Sequence, residues 1–225
     1  MIAPLAIVQA RIGSTRLPRK MLLPLAGKPL IWHAVNAAVE AFGGAVVAIP
    51  DTEENDELEA AIVDCTDEEV EIFRWRGPEW DVLGRFHACA HQYRWHPDSV
   101  IVRVTPDDPF KLPHLMVQVA MGERQPVEES CEAFTLRMLD EAQKREPYEV
   151  EVDDDDCVDG LDPVGAVKWV PNPAREHITL ALFPSQIPTK LGKFWTVDTW
   201  DDYEAAVEEM QIRKQLRAAV ILGHT

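Results

Sequence analysis

The chain has 225 residues, of which 46% are hydrophobic and 27% are charged, and it carries a formal net charge of −17. This composition is typical of a globular domain that buries a full core. The acidity disfavours nucleic acid and anionic membranes as partners, because the summed field repels both.

The sequence contains no recognisable membrane-spanning segment or secretory signal. No apolar run approaches the roughly 20 residues that span a bilayer. The short apolar stretch at residues 5–10 precedes its basic residues instead of following them, unlike a secretory signal. The four cysteines are widely spaced, which favours neither a zinc site nor a redox motif. We therefore expect a cytoplasmic protein with reduced thiols.

Strands and helices are predicted to alternate up to about residue 120. Apolar runs predict strands at residues 5–8, 45–49, 70–73 and 99–105, and helical spacing predicts helices at residues 28–42, 56–63 and 81–93. Such alternation favours βαβ units and a mainly parallel sheet covered on both faces. Ligands in such sheets bind at the carboxyl ends of the strands, where the strand order reverses.

The second half of the chain has a less regular pattern. It predicts a helix at residues 136–144, a strand at residues 194–197 and a final helix at residues 201–219. Thr199 is the expected N-cap of that helix, with Asp202 three residues later.

A basic loop without acidic residues follows the first predicted strand. The first 39 residues contain five basic residues and no acidic one, and Arg11, Arg16, Arg19 and Lys20 lie within ten residues. Arginine binds phosphate oxygens as a fork, and backbone N–H groups beside Gly13 would form a phosphate nest. The loop matches neither the Walker A motif nor GxGxxG. We interpret it as a site for a multiply charged phosphate.

Aspartates are predicted to face this loop. Asp107 and Asp108 lie in a proline-flanked turn directly after the strand at residues 99–105, and Asp198 follows the late strand. Mg²⁺ binds triphosphates through one or two protein carboxylates together with phosphate oxygens. The sequence therefore predicts a combined metal and phosphate site.

These motifs resemble the cytidylyltransferases that make CMP-activated sugars, such as CMP-KDO synthetase and acylneuraminate cytidylyltransferase. QARIGSTRLPRK at residues 9–20 and LAGKPL at residues 25–30 are similar to the opening of that family, most of all to its spore-coat polysaccharide branch. The similarity continues in DVLGRF, VRVTPDDP, REHIT and TVDT, beginning at residues 81, 102, 175 and 196. It is weak from about residue 122 to residue 173.

The resemblance implies a single α/β domain over residues 1–225, with the Rossmann-like fold of nucleotide-diphospho-sugar transferases. That fold is a mixed, mostly parallel sheet with helices on both faces. Residues 122–173 would then be a variable region for acceptor or dimer contacts. The implied activity is Mg²⁺-dependent transfer of CMP from CTP to a sugar for surface polysaccharide or glycan synthesis, with release of pyrophosphate. The implied partners are CTP or another nucleoside triphosphate, a small sugar acceptor and a second copy of the chain.

The resemblance also assigns residues to the site. Catalytic roles fall on Arg11, Lys20 and Asp107, and the metal ligands are Asp107 and Asp198. Nucleotide binding falls on Gln9, Ala10, Arg11, Gly13, Ser14, Thr15, Arg16, Lys20, Asp81, Arg85 and Thr105. Acceptor binding falls on Arg175, Glu176 and His177.

Departures from the family pattern leave two alternatives open. Arg19 and Pro106 stand where the family has glycine, and Trp200-Asp201 replaces Pro-Glu. One alternative is a metal-dependent glycosyltransferase of the same architecture, which would release a nucleoside diphosphate. The other is a non-catalytic nucleotide-binding homologue. The sequence identifies neither the sugar nor the base.

Two further patterns resemble metal motifs. His87 and His91 are spaced i, i+4 on a predicted helix, but no HExxH glutamate accompanies them, which disfavours a metal site on sequence alone. The acidic run at residues 153–162 contains a DxD spacing, which we interpret as part of a solvated loop.

Overall fold

The computed structural model describes residues 5–66, 69–123, 131–144, 148–151, 167–170 and 196–221. Its strands are β1 (Leu5–Gln9), β2 (Pro24–Leu25), β3 (Lys28–Pro29), β4 (Ala45–Pro50), β5 (Val70–Trp75), β6 (Val100–Val104), β7 (Cys131–Thr135), β8 (Tyr148–Glu151) and β9 (Val167–Val170). Its helices are α1 (Leu30–Phe42), α2 (Asp56–Val63), α3 (Val82–Gln92), α4 (Pro113–Ala120), α5 (Leu136–Gln143) and α6 (Trp200–Ile221).

Five strands form the central sheet in the order β5-β4-β1-β6-β7. All neighbours in it are parallel except β6 and β7, which are antiparallel. The chain builds outward from β1 through β4 to β5 and then returns to place β6 on the other side of β1. The strand order therefore reverses between β1 and β6, and a crevice forms beyond their carboxyl ends.

Helices cover both faces of this sheet. Ala6 and Val8 of β1 pack on one face against α1, α2 and α4, while Ile7 packs on the other face against α3 and α5. The alternation follows from the two-residue period of a strand, and burial on both faces explains the nearly continuous apolar sequences of β1 and β4. The predicted mixed, mostly parallel sheet with helices on both faces is confirmed.

A third apolar cluster packs the basic loop against α6 and the segment before it. Leu17, Leu25 and Leu30 are fully buried against Val197 and against Ala206 of α6. The hydroxyl of Tyr203 on α6 also donates a hydrogen bond to the carbonyl of Pro24 at 2.5 Å. These contacts bring the segment before α6 next to the basic loop.

The helix predicted at residues 28–42 begins two residues later than expected. Lys28 and Pro29 pair instead with β2, through a turn in which Ala26 has φ 51° and Gly27 has φ 87°. Proline disfavours helical conformation in the residue before it, which explains the later start. The helix ends as predicted at Gly43, which adopts φ 78° and donates its N–H to the carbonyl of Val39.

One predicted element is wrong in its described part, and six of the strands and helices named above were not predicted. Thr196 and Val197 lie in no strand, while residues 194 and 195 lie outside the described residues. The elements that were not predicted are helix α4 and strands β2, β3, β7, β8 and β9. The final helix was predicted, and Thr199 caps it as expected, because its hydroxyl accepts from the N–H of Asp202 at 3.2 Å. None of the helices in the described ranges is long and apolar enough to cross a membrane.

Candidate active site

A cleft of about 500 Å³ opens at the carboxyl ends of β1 and β6. Its lining includes residues 9–11, 13–16 and 20 of the predicted phosphate loop, together with Arg85, Asp107 and Asp198. The structure thus brings together most of the residues that the sequence assigned to the nucleotide and the metal. Their meeting point is the strand reversal at which this architecture binds ligands.

Lys20 joins the two predicted metal ligands. Its buried Nζ donates to Asp198 Oδ1 at 2.7 Å, to Asp107 Oδ2 at 3.3 Å and to the carbonyl oxygen of Val197 at 3.1 Å. Arg16 contacts the other oxygen of Asp198 at 2.9 Å. The N–H of Val197 in turn donates to the carbonyl of Asp107 at 2.9 Å, which ties the turn after β6 to the segment before α6. Two distant carboxylates are therefore held side by side under the basic loop.

The donor set at this point fits a divalent cation. Asp107 Oδ1 is buried and has no hydrogen-bond partner within the described part of the chain. A buried carboxylate oxygen without a partner is unfavourable unless a cation or a donor reaches it. Mg²⁺ prefers oxygen ligands and is commonly bound by one or two carboxylates together with phosphate oxygens.

Arg19 does not take part in the cleft. Its backbone adopts φ 58°, and its guanidinium pairs with Glu57 of α2, so the side chain points away from the described lining. The left-handed conformation explains why a glycine would suit this position. The loop is braced nearby by the N–H of Ile12, which donates to Asn55 Oδ1 at 2.9 Å.

The start of α3 forms another wall of the cleft. Arg85 lines it and is buried, and its guanidinium donates to the carbonyl of Glu79 at 2.6 Å. Burial lowers the pKa of Arg85 to about 10, partly offset by the nearby carboxylate of Glu79. At neutral pH Arg85 therefore presents a buried positive charge, whose Nε has no hydrogen-bond partner in the described ranges.

Two residues predicted to bind the nucleotide lie outside the lining. Asp81 is the N-cap of α3 and accepts a hydrogen bond from the N–H of Gly84 at 2.9 Å. A Cβ on Gly84 would lie 2.4 Å from this carboxylate, so a larger residue there would require the Asp81 side chain to shift. Thr105 is buried and its hydroxyl accepts from Lys111 at 3.2 Å. Both residues support the cleft walls in this structure, and their contact with a nucleotide stays a prediction.

A buried series of side-chain hydrogen bonds at the bottom of the cleft was not predicted. Arg103 of β6 lines the cleft and donates from Nε to Gln9 Oε1 at 2.9 Å and from NH1 to Glu132 Oε1 at 2.6 Å. Glu132 lies opposite Arg103 on β7 and is 1% exposed. A sequence signal for this pair was available, because two otherwise apolar segments each contain one charged residue. These are Arg103 in β6 and Glu132 in β7, whose charges are opposite.

The rim also contains residues without a sequence motif. Glu79 contacts Arg11 at 2.9 Å, and Trp80 lines the cleft with 48% of its surface exposed. An exposed indole beside a polar cleft offers a flat face on which a base or a sugar ring can stack. The predicted acceptor residues Arg175, Glu176 and His177 lie outside the described residues.

Comparison with solved structures identifies the fold class. A cytidylyltransferase from Leptospira borgpetersenii superposes with a TM-score of 0.64 at 21% identity, over 92% of this chain and 86% of that one. A structure of CMP:2-keto-3-deoxy-manno-octonic acid synthetase complexed with CTP gives a TM-score of 0.65 at 16% identity, over 94% and 99% of the two chains. The chain therefore has the α/β fold of nucleotidyltransferases.

Comparison of sequences identifies the family. The cytidylyltransferase family model matches residues 5–155, so the chain belongs to the cytidylyltransferase family. A 3-deoxy-manno-octulosonate cytidylyltransferase of Methylococcus capsulatus is 33% identical over 133 residues, which are 58% of this chain and 48% of that protein. Spore coat polysaccharide biosynthesis protein SpsF of Bacillus subtilis is 39% identical over 118 residues, which are 50% of this chain and 46% of that protein. The matched segments span about half the length of these curated relatives.

Proposed function

We propose that the protein transfers CMP from CTP to a sugar hydroxyl and releases pyrophosphate. The observation that carries this proposal is the joining of Asp107 and Asp198 by Lys20 beneath the basic loop, at the strand reversal. This arrangement supplies positive charge for a triphosphate and carboxylates for a divalent cation in one cleft. Family membership supports cytidine as the nucleoside.

The basic side chains have the task of stabilising negative charge. In nucleotidyl transfer the acceptor oxygen attacks the α-phosphorus while pyrophosphate leaves, so charge grows on the leaving group. Arg11, Arg16 and Lys20 line the cleft and are the groups that we assign to this charge. The loop N–H groups beside Ser14 and Thr15 would orient the phosphates, so catalysis rests mainly on positioning.

Mg²⁺ is the cofactor that we propose for Asp107 and Asp198. Bound there, it would neutralise phosphate charge and polarise the α-phosphate. Lys20, which now bridges both carboxylates, would then be released towards the triphosphate oxygens. Arg16, the other contact of Asp198, is two-thirds exposed as a side chain and is free to follow the ligand.

The remaining assignments concern the acceptor and the organisation of the chain. We propose one nucleotidyltransferase domain over residues 1–225, with Arg175, Glu176 and His177 facing the acceptor. The two curated relatives described above act on 3-deoxy-manno-octulosonate or serve spore-coat polysaccharide synthesis by name, which supports a sugar of surface polysaccharides. A homodimer through residues 122–173 completes the proposal.

Product analysis tests the reaction. The protein is incubated with CTP, Mg²⁺ and a panel of sugars that begins with 3-deoxy-manno-octulosonate and neuraminate, and phosphate products are separated by ion exchange. Pyrophosphate in equal amount to a CMP-sugar supports the proposal. Absence of pyrophosphate with every acceptor, or release of a nucleoside diphosphate from a nucleotide-sugar, contradicts it and favours the glycosyltransferase alternative.

A single substitution tests the assignment of the carboxylates. Asp107→Ala is expected to abolish turnover while the far-ultraviolet circular dichroism spectrum stays unchanged, because the carboxylate lies at the cleft and outside the three apolar clusters. Asp108→Ala is a less suitable control, since Asp108 is buried and paired with Lys111. Asp98→Ala serves instead, because Asp98 is exposed and lies before the amino end of β6, at the opposite edge of the sheet from the cleft. Full activity of Asp107→Ala would overturn the assignment.

A further inference from the structure

A second group of metal-binding side chains lies between α3 and α5. His87 and His91 are one helical turn apart on α3, and both Nε2 atoms approach the same carboxylate oxygen of Asp140 on α5. The distances to Asp140 Oδ1 are 3.0 Å from His87 and 2.8 Å from His91. The three ligand atoms all lie within 4.8 Å of one another. The sequence alone did not join these residues, because Asp140 is distant along the chain.

The geometry is close to that of a bound transition metal. Zinc binds imidazole nitrogen at about 2.0–2.1 Å and carboxylate oxygen at about 2.0–2.2 Å, which makes the edge of a tetrahedral site about 3.4 Å long. The observed nitrogen–oxygen distances of 2.8 and 3.0 Å are shorter than this edge. Rotamer shifts of roughly half an ångström would therefore admit an ion in place of the shared hydrogen bonds.

Solvent can reach this cluster, and the packed helices hold its three side chains in place. The side chains of His87, His91 and Asp140 are 30%, 50% and 33% exposed, so an ion and a water ligand can reach them. The helices beneath are held together by the buried contact between Phe86 of α3 and Phe134, the penultimate residue of the strand that leads into α5. Two ligands at i, i+4 on one helix already share a face, so little ordering is needed for binding.

The chemistry of the ligands separates this cluster from the candidate active site. Imidazole suits zinc, cobalt, nickel and copper, whereas the carboxylate oxygens of Asp107 and Asp198 suit magnesium.

We propose that His87, His91 and Asp140 form a site for a divalent transition-metal ion that ties α3 to α5. Water completes the coordination, as in sites with three protein ligands. Helix α3 begins at the Asp81 cap and carries Arg85 into the cleft. The ion would therefore brace the helix that forms one wall of the candidate active site. This inference does not depend on the proposed cytidylyltransferase reaction.

Cobalt binding tests the site, because Co²⁺ replaces Zn²⁺ and has visible absorption bands that report its coordination. The protein is freed of transition metals, kept in excess Mg²⁺ and titrated with Co²⁺. Calorimetry and visible absorption measure the binding. We expect one Co²⁺ per chain, with an affinity at least tenfold weaker in His91→Ala and in Asp140→Asn. His91→Gln repeats the test with a side chain of similar size, and circular dichroism checks folding.

Two controls locate the ion. His96→Ala removes an exposed histidine beyond the end of α3 and is expected to leave Co²⁺ affinity unchanged. Asp107→Asn is expected to leave it unchanged as well, because the cleft carboxylates are not ligands. Equal Co²⁺ affinity in wild type and His91→Ala, absence of Co²⁺ binding in wild type, or loss of binding in Asp107→Asn would each overturn the proposal.

Discussion

Replacing Glu132, which is buried below the cleft, is expected to lower the free energy of unfolding of the protein. Glu132 is 1% exposed and contacts Arg103 at 2.6 Å, and its Oε2 has no hydrogen-bond partner among the described residues. Glu132→Ala leaves the guanidinium of Arg103 in a site where its side chain is only 15% exposed. Breaking a buried ion pair from one side costs about 3–5 kcal/mol. Arg103 keeps its hydrogen bond to Gln9 and some solvent, so we expect the lower end, about 3 kcal/mol.

Urea denaturation at pH 7, followed by circular dichroism, measures this loss. Asp98→Ala is the matched control, since Asp98 contacts Arg137 at 2.7 Å with both side chains 60% exposed, and no measurable change is expected. Arg103→Leu combined with Glu132→Leu removes both charges and is expected to recover most of the loss, because apolar replacements of a buried pair are tolerated. A stability of Glu132→Ala within about 1 kcal/mol of wild type would refute the reasoning about burial.

Three further predictions concern the loop and the last helix. Arg19 adopts a left-handed backbone at φ 58°, so Arg19→Gly is expected to be more stable than Arg19→Ala by about 1 kcal/mol in urea denaturation, and an equally stable alanine variant would contradict the strain. Thr199→Ala removes the cap of α6 and is expected to cost about 1 kcal/mol, whereas Thr199→Ser retains it. Burial alone would raise the pKa of Asp202, but hydrogen bonds from Thr199 and Asp198 outweigh it and lower that pKa. Its stabilisation is therefore present above the unfolded pKa of about 3.9 and is lost as pH falls through the folded value. Wild type should lose more stability than Asp202→Asn between pH 6 and pH 3, and parallel profiles would contradict this.

The sequence predicted those elements whose own apolar pattern decides their structure. Strand β4 is apolar throughout and α2 has an acidic first turn, so both were located closely. The β2–β3 hairpin was missed because Ala26 occupies the turn position where Asn, Asp or Gly is usual, although Ala26 adopts a positive φ as Gly27 does. The strand predicted at residues 194–197 is not formed at Thr196 and Val197, where the N–H of Val197 bonds to the turn after β6 instead of to a sheet partner.

The sequence could predict those parts of the candidate site that lie at the carboxyl ends of parallel strands. It could not predict the parts that depend on which strands or helices become neighbours. The carboxyl ends of neighbouring parallel strands meet at one edge, so the loop after β1 and Asp107 after β6 had to converge. Arg103 and Glu132 become partners only through the register of β6 with β7, and β7 itself was not predicted. His87, His91 and Asp140 likewise meet only because α3 and α5 pack on the same face of the sheet.

Calorimetric titration with CTP, with and without Mg²⁺, tests the central claim most directly. Binding requires no knowledge of the sugar, and UTP, GTP and ATP provide matched comparisons of the base. We predict one CTP site per chain that strengthens with Mg²⁺, is weaker for the other three nucleotides and loses its Mg²⁺ dependence in Asp107→Asn. Absence of CTP binding, or equal affinity for all four triphosphates with no effect of Mg²⁺, would contradict the assignment of this cleft to cytidylyl transfer.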